Sequence, residues 1–139
     1  MANLQRALEI TVEAHKNQTQ KDGTPYALHP IRLSLSLESE EQKIVALLHD
    51  VVEDTDWKFE DLEREGFSGI IVEALRLVTH TDGSPYEEYI ERLASNPLAK
   101  AVKKADLTDN MDFKRIPEPT EKDFARLQKY HRAWRRLQD

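Results

Sequence analysis

The stretch from Ile44 to Asp54, IVALLHDVVED, constrains the fold of this chain more than any other. It begins as an unbroken apolar run, which is typical of a helix that is buried on all sides. It then places four ionisable side chains within little more than one helical turn: His49, Asp50, Glu53 and Asp54. On a helix these form two stacked pairs, because the members of each pair are four residues apart. The stretch therefore predicts a buried helix whose polar end is buried as well.

Burial of this polar end has a chemical consequence. Three carboxylates that lose hydration and repel one another are costly to bury unless a cation or a shared proton compensates. The alternative is a helix end that frays into solvent, but no Lys or Arg stands among these residues, and apolar Val51 and Val52 are interleaved with them. A metal site is therefore the favoured interpretation. Because the chain has no cysteine, a transition metal would be held by His and carboxylate ligands.

The length of 139 residues predicts one domain over residues 1–139, large enough to bury a core. Only four glycines and helix-period patterns throughout predict an all-α protein. The formal net charge of −6 argues against binding to a nucleic acid polymer, which favours a basic surface. The N-terminal region lacks the apolar core of a signal peptide, and no apolar run reaches membrane length. We therefore expect a cytoplasmic protein without a membrane partner.

The remaining helices are predicted from their apolar period and from cap and turn residues. With the central helix they form a bundle of about eight helices. They cover residues 2–17, 30–37, 55–66, 69–79, 86–95, 98–111 and 120 onwards. In the last of them the apolar period predicts a core-facing stripe of Phe124, Leu127, His131 and Trp134.

Three histidines outside the central stretch have ordinary interpretations when each is taken alone. His15 lies on the apolar face of the first helix, which predicts a core histidine satisfied by a hydrogen bond rather than a metal ligand. His29 precedes Pro30, a residue suited to the first helical position, so His29 is expected at or just before the N-cap. His80 stands beside the turn sequence TDGSP and has only a loop interpretation.

A second informative patch is KAVKKADLTDNM, in the helix after Pro97. Asp106 and Asn110 are four residues apart and share a face with apolar neighbours, so Asp106 could point inward. Spacing alone, however, favours a surface acid paired with Lys103 or Lys104. If the ligand is an anion, the basic residues of the final helix and Lys21 in the first loop are the best candidates to bind it.

Four segments together resemble a known family. In order, they are HKNQTQKDGTPYALHP, ALLHDVVEDT, the TDGSPYEEYI region and VKKADLTDN. They strongly resemble the HD-domain hydrolases of the alarmone family, which include small stand-alone alarmone hydrolases and the hydrolase half of long bifunctional alarmone enzymes. The resemblance runs from about residue 4 to residue 134, and the ordered set HP, HDxxED and KxADxxxN is highly specific.

This resemblance implies a single all-α HD-domain bundle and a set of site residues. The implied ligands of one divalent ion, usually Mn²⁺, are His29, His49, Asp50 and Asp106. The implied catalytic acids are Glu53 and Asp54, which would orient a water molecule or shuttle protons. The implied contacts to the nucleotide substrate are Lys21, Asn110, Arg126 and Tyr130.

The reaction implied by the resemblance is hydrolysis of the 3′-pyrophosphate of (p)ppGpp to GDP or GTP and pyrophosphate. The sequence departs from the family at Gln20, where many members carry an arginine that packs against the base, and at Lys104, where many have an apolar residue. Two alternatives stay open: a phosphohydrolase acting on another nucleotide, such as the 2′-phosphate of NADPH, and a nucleotide-binding regulatory module without turnover. A homo-oligomer is also left open.

Overall fold

The computed structural model describes residues 2–138, and this part of the chain is all-α, as predicted. Its helices are α1 Leu4–Ala14, α2 Leu28–Leu35, α3 Glu40–Leu48, α4 Val51–Asp54, α5 Phe59–Glu65, α6 Gly69–Val78, α7 Tyr86–Ala94, α8 Pro97–Asn110 and α9 Glu121–Leu137. A short 3-10 helix, Phe113–Arg115, lies between α8 and α9. Among the described helices, none combines the length and the apolar character needed to cross a membrane.

Helix α3 is the centre of the bundle. A capping box starts it: the Ser39 hydroxyl accepts the Gln42 backbone N–H, and the Gln42 side chain accepts the Ser39 N–H, each at 3.1 Å. Residues 44–48 are at most 2% exposed, and α1, α2, α6 and α8 pack around them. Burial of each large apolar side chain contributes about 1.5–3 kcal/mol. The predicted buried helix is therefore confirmed.

The central helix is interrupted, which the sequence did not predict. α3 ends at Leu48, Asp50 adopts φ −106° and ψ 0°, and the single turn α4 begins at Val51. These dihedral angles lie in the sparsely populated bridge region. His49 is consequently buried, whereas Glu53 and Asp54 are exposed. The expectation that the whole polar end is buried is wrong for these two acids, because the break turns α4 so that their charges keep contact with solvent.

Helix α2 begins earlier than predicted. It starts at Leu28, so His29 lies inside its first turn and Pro30 is the third helical residue. Proline is tolerated there because the first N–H groups of a helix have no partner within the helix. The N–H of His29 donates to the carbonyl of Tyr26 at 2.9 Å, and the His29 ring is buried against the bundle instead of capping the helix from outside.

Helix α5 also begins differently from the prediction. Its N-cap residue is Lys58, whose backbone N–H donates to the Asp61 carboxylate at 2.9 Å, so the helix begins at Phe59 and not at residue 55. Thr55 instead closes α4, because its hydroxyl donates to the carbonyl of Val51 at 2.5 Å. Gly66 ends α5 with φ 101°, the left-handed conformation expected of a C-terminal glycine.

The core-facing stripe predicted for α9 is largely wrong. Phe124 is 51% exposed and His131 is exposed, whereas Ala133 and Leu137 are buried. The face that packs on α7 and α8 therefore follows another helical row: Tyr130, Ala133, Trp134 and Leu137. Phe124 is still not isolated, since its ring lies 5.4 Å from the ring of Phe113 in the preceding 3-10 helix. This row brings Tyr130 to the side of the bundle where the predicted site residues lie.

Candidate active site

The four implied metal ligands come together from α2, which carries His29, from α8, which carries Asp106, and from the break between α3 and α4, which carries His49 and Asp50. One donor atom from each of His29, His49 and Asp50 can be chosen so that all lie within 4.8 Å of one another. The Oδ1 atom of Asp106 lies 2.9 Å from Nε2 of His29 and 3.2 Å from Nε2 of His49. Asp106 is buried, 5% exposed, so the interpretation of it as a surface acid is wrong.

The tautomers of the two histidines suit metal binding. Nδ1 of His49 lies 2.6 Å from the carbonyl of Ala46, an acceptor only, so this nitrogen must carry a proton. Nδ1 of His29 lies 2.6 Å from Oδ2 of Asp109, which likewise accepts the proton. In a neutral ring the remaining nitrogen, Nε2, then holds a lone pair, as in carboxylate-histidine-metal arrangements. Both Nε2 atoms lie within hydrogen-bond distance of the same Asp106 oxygen. The lone pairs of a ring nitrogen and a carboxylate oxygen repel at this distance unless a proton or a cation lies between them.

The pKa values of the cluster residues also indicate that the carboxylates require positive charge beside them. Burial disfavours the charged form of His49, but Asp50 and Asp106 outweigh it and raise the pKa of His49 well above its usual value. Burial likewise opposes ionisation of Asp106, but Lys103 and the two histidines hold its pKa well below the usual range. Without an ion, protons on the imidazoles supply this charge. Because metal binding displaces such protons, the donor set fits a divalent cation.

Asp109 supports the cluster and was not identified from the sequence. It accepts the Nδ1–H of His29 and is clamped by Arg32, whose Nε and Nη2 donate to its two oxygens at 2.9 Å each. Burial opposes the charge on Asp109, but the hydrogen bonds from His29 and Arg32 hold its pKa far below the usual range. The signal available was its position inside the VKKADLTDN segment, three residues after Asp106.

Two further supporting residues lie inside the quoted motifs. The hydroxyl of Tyr26 donates to Oδ2 of Asp50. Nζ of Lys103 lies 2.9 Å from Oδ2 of Asp106, so Asp106 both points inward and pairs with this lysine. Burial disfavours the ammonium of Lys103, but Asp106 more than offsets this and raises its pKa well above the usual value. The lysine pair and the inward orientation, which the sequence presents as alternatives, occur together in the structure.

The two acids of α4 border a cavity beside the cluster. The Oε1 atom of Glu53 accepts the backbone N–H of His80 at 3.0 Å, which ties α4 to the segment before α7. Burial, with the nearby charges of Asp50 and Glu53, raises the pKa of Asp54 to about 6. His80, for which the sequence indicated only a loop position, stacks on Tyr89 with ring centroids 4.5 Å apart. No sequence signal distinguished His80 from an ordinary loop residue.

Two cavities flank the cluster and meet at Tyr26, Asn110 and Tyr130. The loop cavity lies between the first loop and α9; the residues that line it include Gln20, Lys21, His29, Arg115, Asp123 and Arg126. The α7 cavity lies between α4, α7 and α9; the residues that line it include His49, Asp50, Glu53, Asp54, His80, Tyr86, Lys103, Asp106 and Lys129. All ten site residues implied by the resemblance therefore line one of these two cavities.

The residues implied as substrate contacts form one wall of the loop cavity. Lys21 and Arg126 both bind the buried carboxylate of Asp123, which joins the first loop to α9. Asn110 is exposed, and its side-chain N–H donates to Oδ1 of Asp106 at 3.1 Å. Tyr130 is half-buried at the junction of the cavities. The structure thus places all four on the same side of the metal-ligand cluster.

The side chain of Gln20 is engaged within its own loop. Its Nε2 donates to the Thr24 hydroxyl at 2.7 Å, and its Oε1 accepts from Nη2 of Arg32 at 2.5 Å. Gln20 therefore links the loop to Arg32, which in turn holds Asp109. An arginine at this position could not accept the hydrogen bond from Arg32.

No family model matches the chain, but individual relatives do. A guanosine-3′,5′-bis(diphosphate) 3′-pyrophosphohydrolase from Aquifex aeolicus is 32% identical over 120 residues, which are 78% of this chain and only 17% of that protein. The guanosine-3′,5′-bis(diphosphate) 3′-pyrophosphohydrolase MESH1 from Drosophila melanogaster is 37% identical. The match covers 86% of this chain and 73% of the relative. The Danio rerio MESH1 enzyme is also 37% identical, over 79% and 68% of the two chains.

A solved structure agrees with these relatives. It is described as a metazoan ortholog of SpoT that hydrolyzes ppGpp; it superposes with a TM-score of 0.81 at 29% identity and covers 99% of this chain and 85% of the other. The MESH1 relatives match over two thirds or more of their length, whereas the long Aquifex protein extends far beyond the region matched. This chain therefore belongs to the family of HD-type guanosine-3′,5′-bis(diphosphate) 3′-pyrophosphohydrolases.

Proposed function

We propose that this protein hydrolyses the 3′-pyrophosphate of guanosine tetra- or pentaphosphate to give GDP or GTP and pyrophosphate. The observation that carries the proposal is the pair of buried histidines whose Nε2 atoms face Asp106 while their Nδ1–H groups are held elsewhere. The relatives that carry this activity in their names add the substrate class. A small nucleotide is accordingly the proposed partner, and a cytoplasmic location remains a prediction.

The proposed metal ligands are His29, His49, Asp50 and Asp106, which hold one divalent ion, with Mn²⁺ as the preferred one. Two imidazoles and two carboxylates without thiolate suit such an ion. When bound, a divalent ion lowers the pKa of a water molecule and polarises a phosphoryl oxygen. Asp109 orients the His29 ring, and Tyr26 orients the Asp50 carboxylate, so that the donor atoms are directed before the ion arrives.

The proposed catalytic acids are Glu53 and Asp54. The oxygen of the attacking water bonds to the 3′-phosphorus, the bond between phosphorus and the ribose 3′-oxygen breaks, and that oxygen takes up a proton. Asp54 is suited to hold and return protons near neutral pH, because its pKa is raised to about 6. Glu53 is held by the backbone N–H of His80, which suits it to orienting the water.

The proposed substrate contacts are Lys21, Asn110, Arg126 and Tyr130, in the loop cavity. The cationic side chains of Lys21 and Arg126 attract the negative phosphates of the nucleotide, and the Tyr130 ring offers an apolar face to the nucleoside. Because Lys21 and Arg126 both pair with Asp123, that carboxylate fixes their positions and partly neutralises their positive charge.

A product assay tests this function. Purified protein supplied with manganese should release pyrophosphate from guanosine tetraphosphate. Glu53→Ala combined with Asp54→Ala should reduce release to background while the protein still binds manganese, since neither acid belongs to the proposed ligand set. Asp56→Ala, an exposed acid of the following loop, is the matched control and should retain full activity. Absence of pyrophosphate release by the wild-type protein would refute the proposal.

A second candidate function is removal of the 2′-phosphate of NADPH. The observation that favours it is the engagement of Gln20 with Thr24 and Arg32, because a neutral, internally bonded side chain offers no cation to pack against guanine. A side-by-side assay on guanosine tetraphosphate and NADPH decides between them: faster release of orthophosphate from NADPH, without pyrophosphate from the other substrate, would establish the second. Tight nucleotide binding without turnover of either would indicate a regulatory module.

A further inference from the structure

The candidate metal ligands are divided between the two cavities. His29 lines the loop cavity, whereas His49, Asp50 and Asp106 line the α7 cavity. The two cavities share Tyr26, Asn110 and Tyr130 at their junction. A phosphoryl group held at these ligands therefore has space on both sides, and a substrate can extend from one cavity into the other.

The cations of the loop cavity are already paired. Lys21 and Arg126 both bind Asp123. Arg115 lies 3.2 Å from Oδ2 of Asp109. The nucleotide phosphates proposed to contact Lys21 and Arg126 already compete with Asp123 here. The loop cavity is therefore suited to the nucleoside side of a substrate and its own phosphates, and a further charged group fits better in the other cavity.

The α7 cavity contains a cation that is not paired in this way. Lys103 pairs with Asp106, but Nζ of Lys129 lies over aromatic rings, 4.6 Å from the ring centroid of Tyr86 and 5.6 Å from that of Tyr130. Across residues 2–138 no carboxylate pairs with this ammonium. Among the described residues that line the two cavities, Lys129 is thus the cation that remains available to bind a ligand.

A second observation at the same place is the hydroxyl of Tyr86. Its oxygen is buried beside the Lys103 ammonium, which can only donate, and its O–H finds no acceptor among the described residues. A buried donor without an acceptor destabilises the protein, and an oxygen of a bound ligand would supply the missing acceptor. Because the ammonium of Lys129 lies over the ring of Tyr86, the two donors belong to one wall of the α7 cavity.

We propose that this wall binds the distal phosphate of a substrate diphosphate, with the Lys129 ammonium and the Tyr86 hydroxyl as its donors. This inference rests on the proposed function and adds the feature that selects a 3′-diphosphate over a monophosphate. The phosphate attached to ribose would lie at the metal ligands and the distal phosphate beyond them, toward α7. Charge-assisted hydrogen bonds from these donors would offset repulsion of the distal phosphate by Glu53 and Asp54.

Two guanosine substrates that differ only in the distal phosphate test the proposal. The manganese-loaded protein is assayed on guanosine 3′,5′-bis(diphosphate) and on guanosine 5′-diphosphate 3′-monophosphate, and the ratio of the two kcat/KM values is recorded. Lys129→Ala and Tyr86→Phe should each lower this ratio about tenfold, the loss expected for one hydrogen bond to a charged group. Lys129→Arg should restore most of it. Lys122→Ala, an exposed lysine of the same helix, should leave the ratio unchanged.

Binding of inorganic pyrophosphate provides a readout that does not depend on turnover. Calorimetry on the manganese-loaded protein should show pyrophosphate binding weakened about tenfold by Lys129→Ala, with inorganic phosphate binding little changed. An unaltered substrate ratio together with unaltered pyrophosphate affinity would overturn the subsite. A wild-type protein that hydrolyses neither guanosine substrate would instead refute the proposed function, and the calorimetric comparison would still decide whether Lys129 binds a diphosphate.

Discussion

At the scale of single residues, Asp109 is the side chain on which the His29 orientation depends. It accepts one hydrogen bond from Nδ1–H of His29 and two from Arg32, so one carboxylate sets both the tautomer and the tilt of a proposed metal ligand. A carboxylate can accept all of these bonds, whereas an amide has only one oxygen that accepts. The pKa of Asp109, held far below the usual range, shows that it acts as an anion throughout the working pH range.

We therefore expect Asp109→Asn to weaken manganese binding by roughly 10–100-fold, the effect typical of an altered partner of a metal-bound histidine. Calorimetric titration of the metal-free protein with manganese measures the change. Asp56→Asn makes the same chemical change at an exposed position outside the cavities and serves as the control. Equal affinities of the wild-type and Asp109→Asn proteins would show that His29 needs no carboxylate to bind the ion.

The negative charge of ionised Asp54 destabilises the folded state. Its folded-state pKa is raised to about 6, above that of an unfolded chain. Its contribution to stability is therefore complete below about pH 4, and it is lost as the pH rises through the folded-state pKa. The cause is partial burial near Asp50 and Glu53, which disfavours a further negative charge.

Replacement of Asp54 by Asn should consequently stabilise the metal-free protein at pH 7.5 by about 1 kcal/mol, a value reduced for the solvent exposure of this carboxyl. At pH 4 the gain should largely disappear. Thermal unfolding in the presence of a chelator at the two pH values measures the difference, and Asp56→Asn again controls for the loss of one surface charge. A gain of equal size at both pH values would contradict the raised pKa.

At the scale of elements, the loop between α1 and α2 is joined to the turn that carries the proposed catalytic acids. Nε2 of Gln18 donates to the backbone carbonyl of Asp54 at 3.2 Å, and its Oε1 lies 2.8 Å from Nδ1 of His15. His15 is a buried core histidine with this hydrogen bond, as the sequence predicted. Gln18 therefore connects the first loop with the end of α4.

The element-scale prediction follows from this link. Gln18→Ala should lower kcat for pyrophosphate release roughly tenfold, because small displacements of reacting groups have large effects on rate, while KM and manganese affinity change little. Steady-state kinetics separates the two parameters. Gln5→Ala, an exposed glutamine of α1, is the matched control. A higher KM at unchanged kcat would instead assign Gln18 to substrate binding.

The break between α3 and α4 decides how the central motif is used. A continuous helix would keep His49 and Asp50 stacked beneath Glu53 and Asp54, as the spacing predicted. In the structure the break leaves His49 in the core and turns the two acids toward the α7 cavity. Both halves of the motif can therefore contribute to one reaction. His49 and Asp50 are the proposed metal ligands in the interior, and Glu53 and Asp54 are the proposed catalytic acids at the edge of the α7 cavity.

At the scale of the whole molecule, α3 brings the parts of the site together because α1, α2, α6 and α8 all pack on it. His29 and Asp106 are 77 residues apart in the chain, yet their side chains are in hydrogen-bond contact through this packing. A net charge of −6 is compatible with an anionic substrate only because cations are placed locally. Lys21, Arg126 and Lys129 lie around the cavities, and Lys103 lies behind Asp106.

The sequence predicted some parts of this arrangement better than others. The apolar run of α3 and the end of α5 at residue 66 were predicted correctly, because each depends on a few adjacent residues. The face of α9 was not, since two neighbouring helical rows both carry large apolar residues and only contact with α7 and α8 selects between them. The contacts of Tyr26, Asp109 and His80 were not predicted, because their partners lie far away along the chain.

By itself, the sequence determined the helical class, the buried central helix and the chemical identity of the candidate ligands, since period, caps and motif spacing are local properties. The tertiary structure alone decided that Asp106 faces His29 and His49, that Asp109 and Tyr26 orient the proposed ligands, and that Lys129 and Tyr86 share a cavity wall. The physical reason is that burial and pairing of charged groups depend on which helices pack together, and that packing is settled by the core around α3 rather than by any one segment.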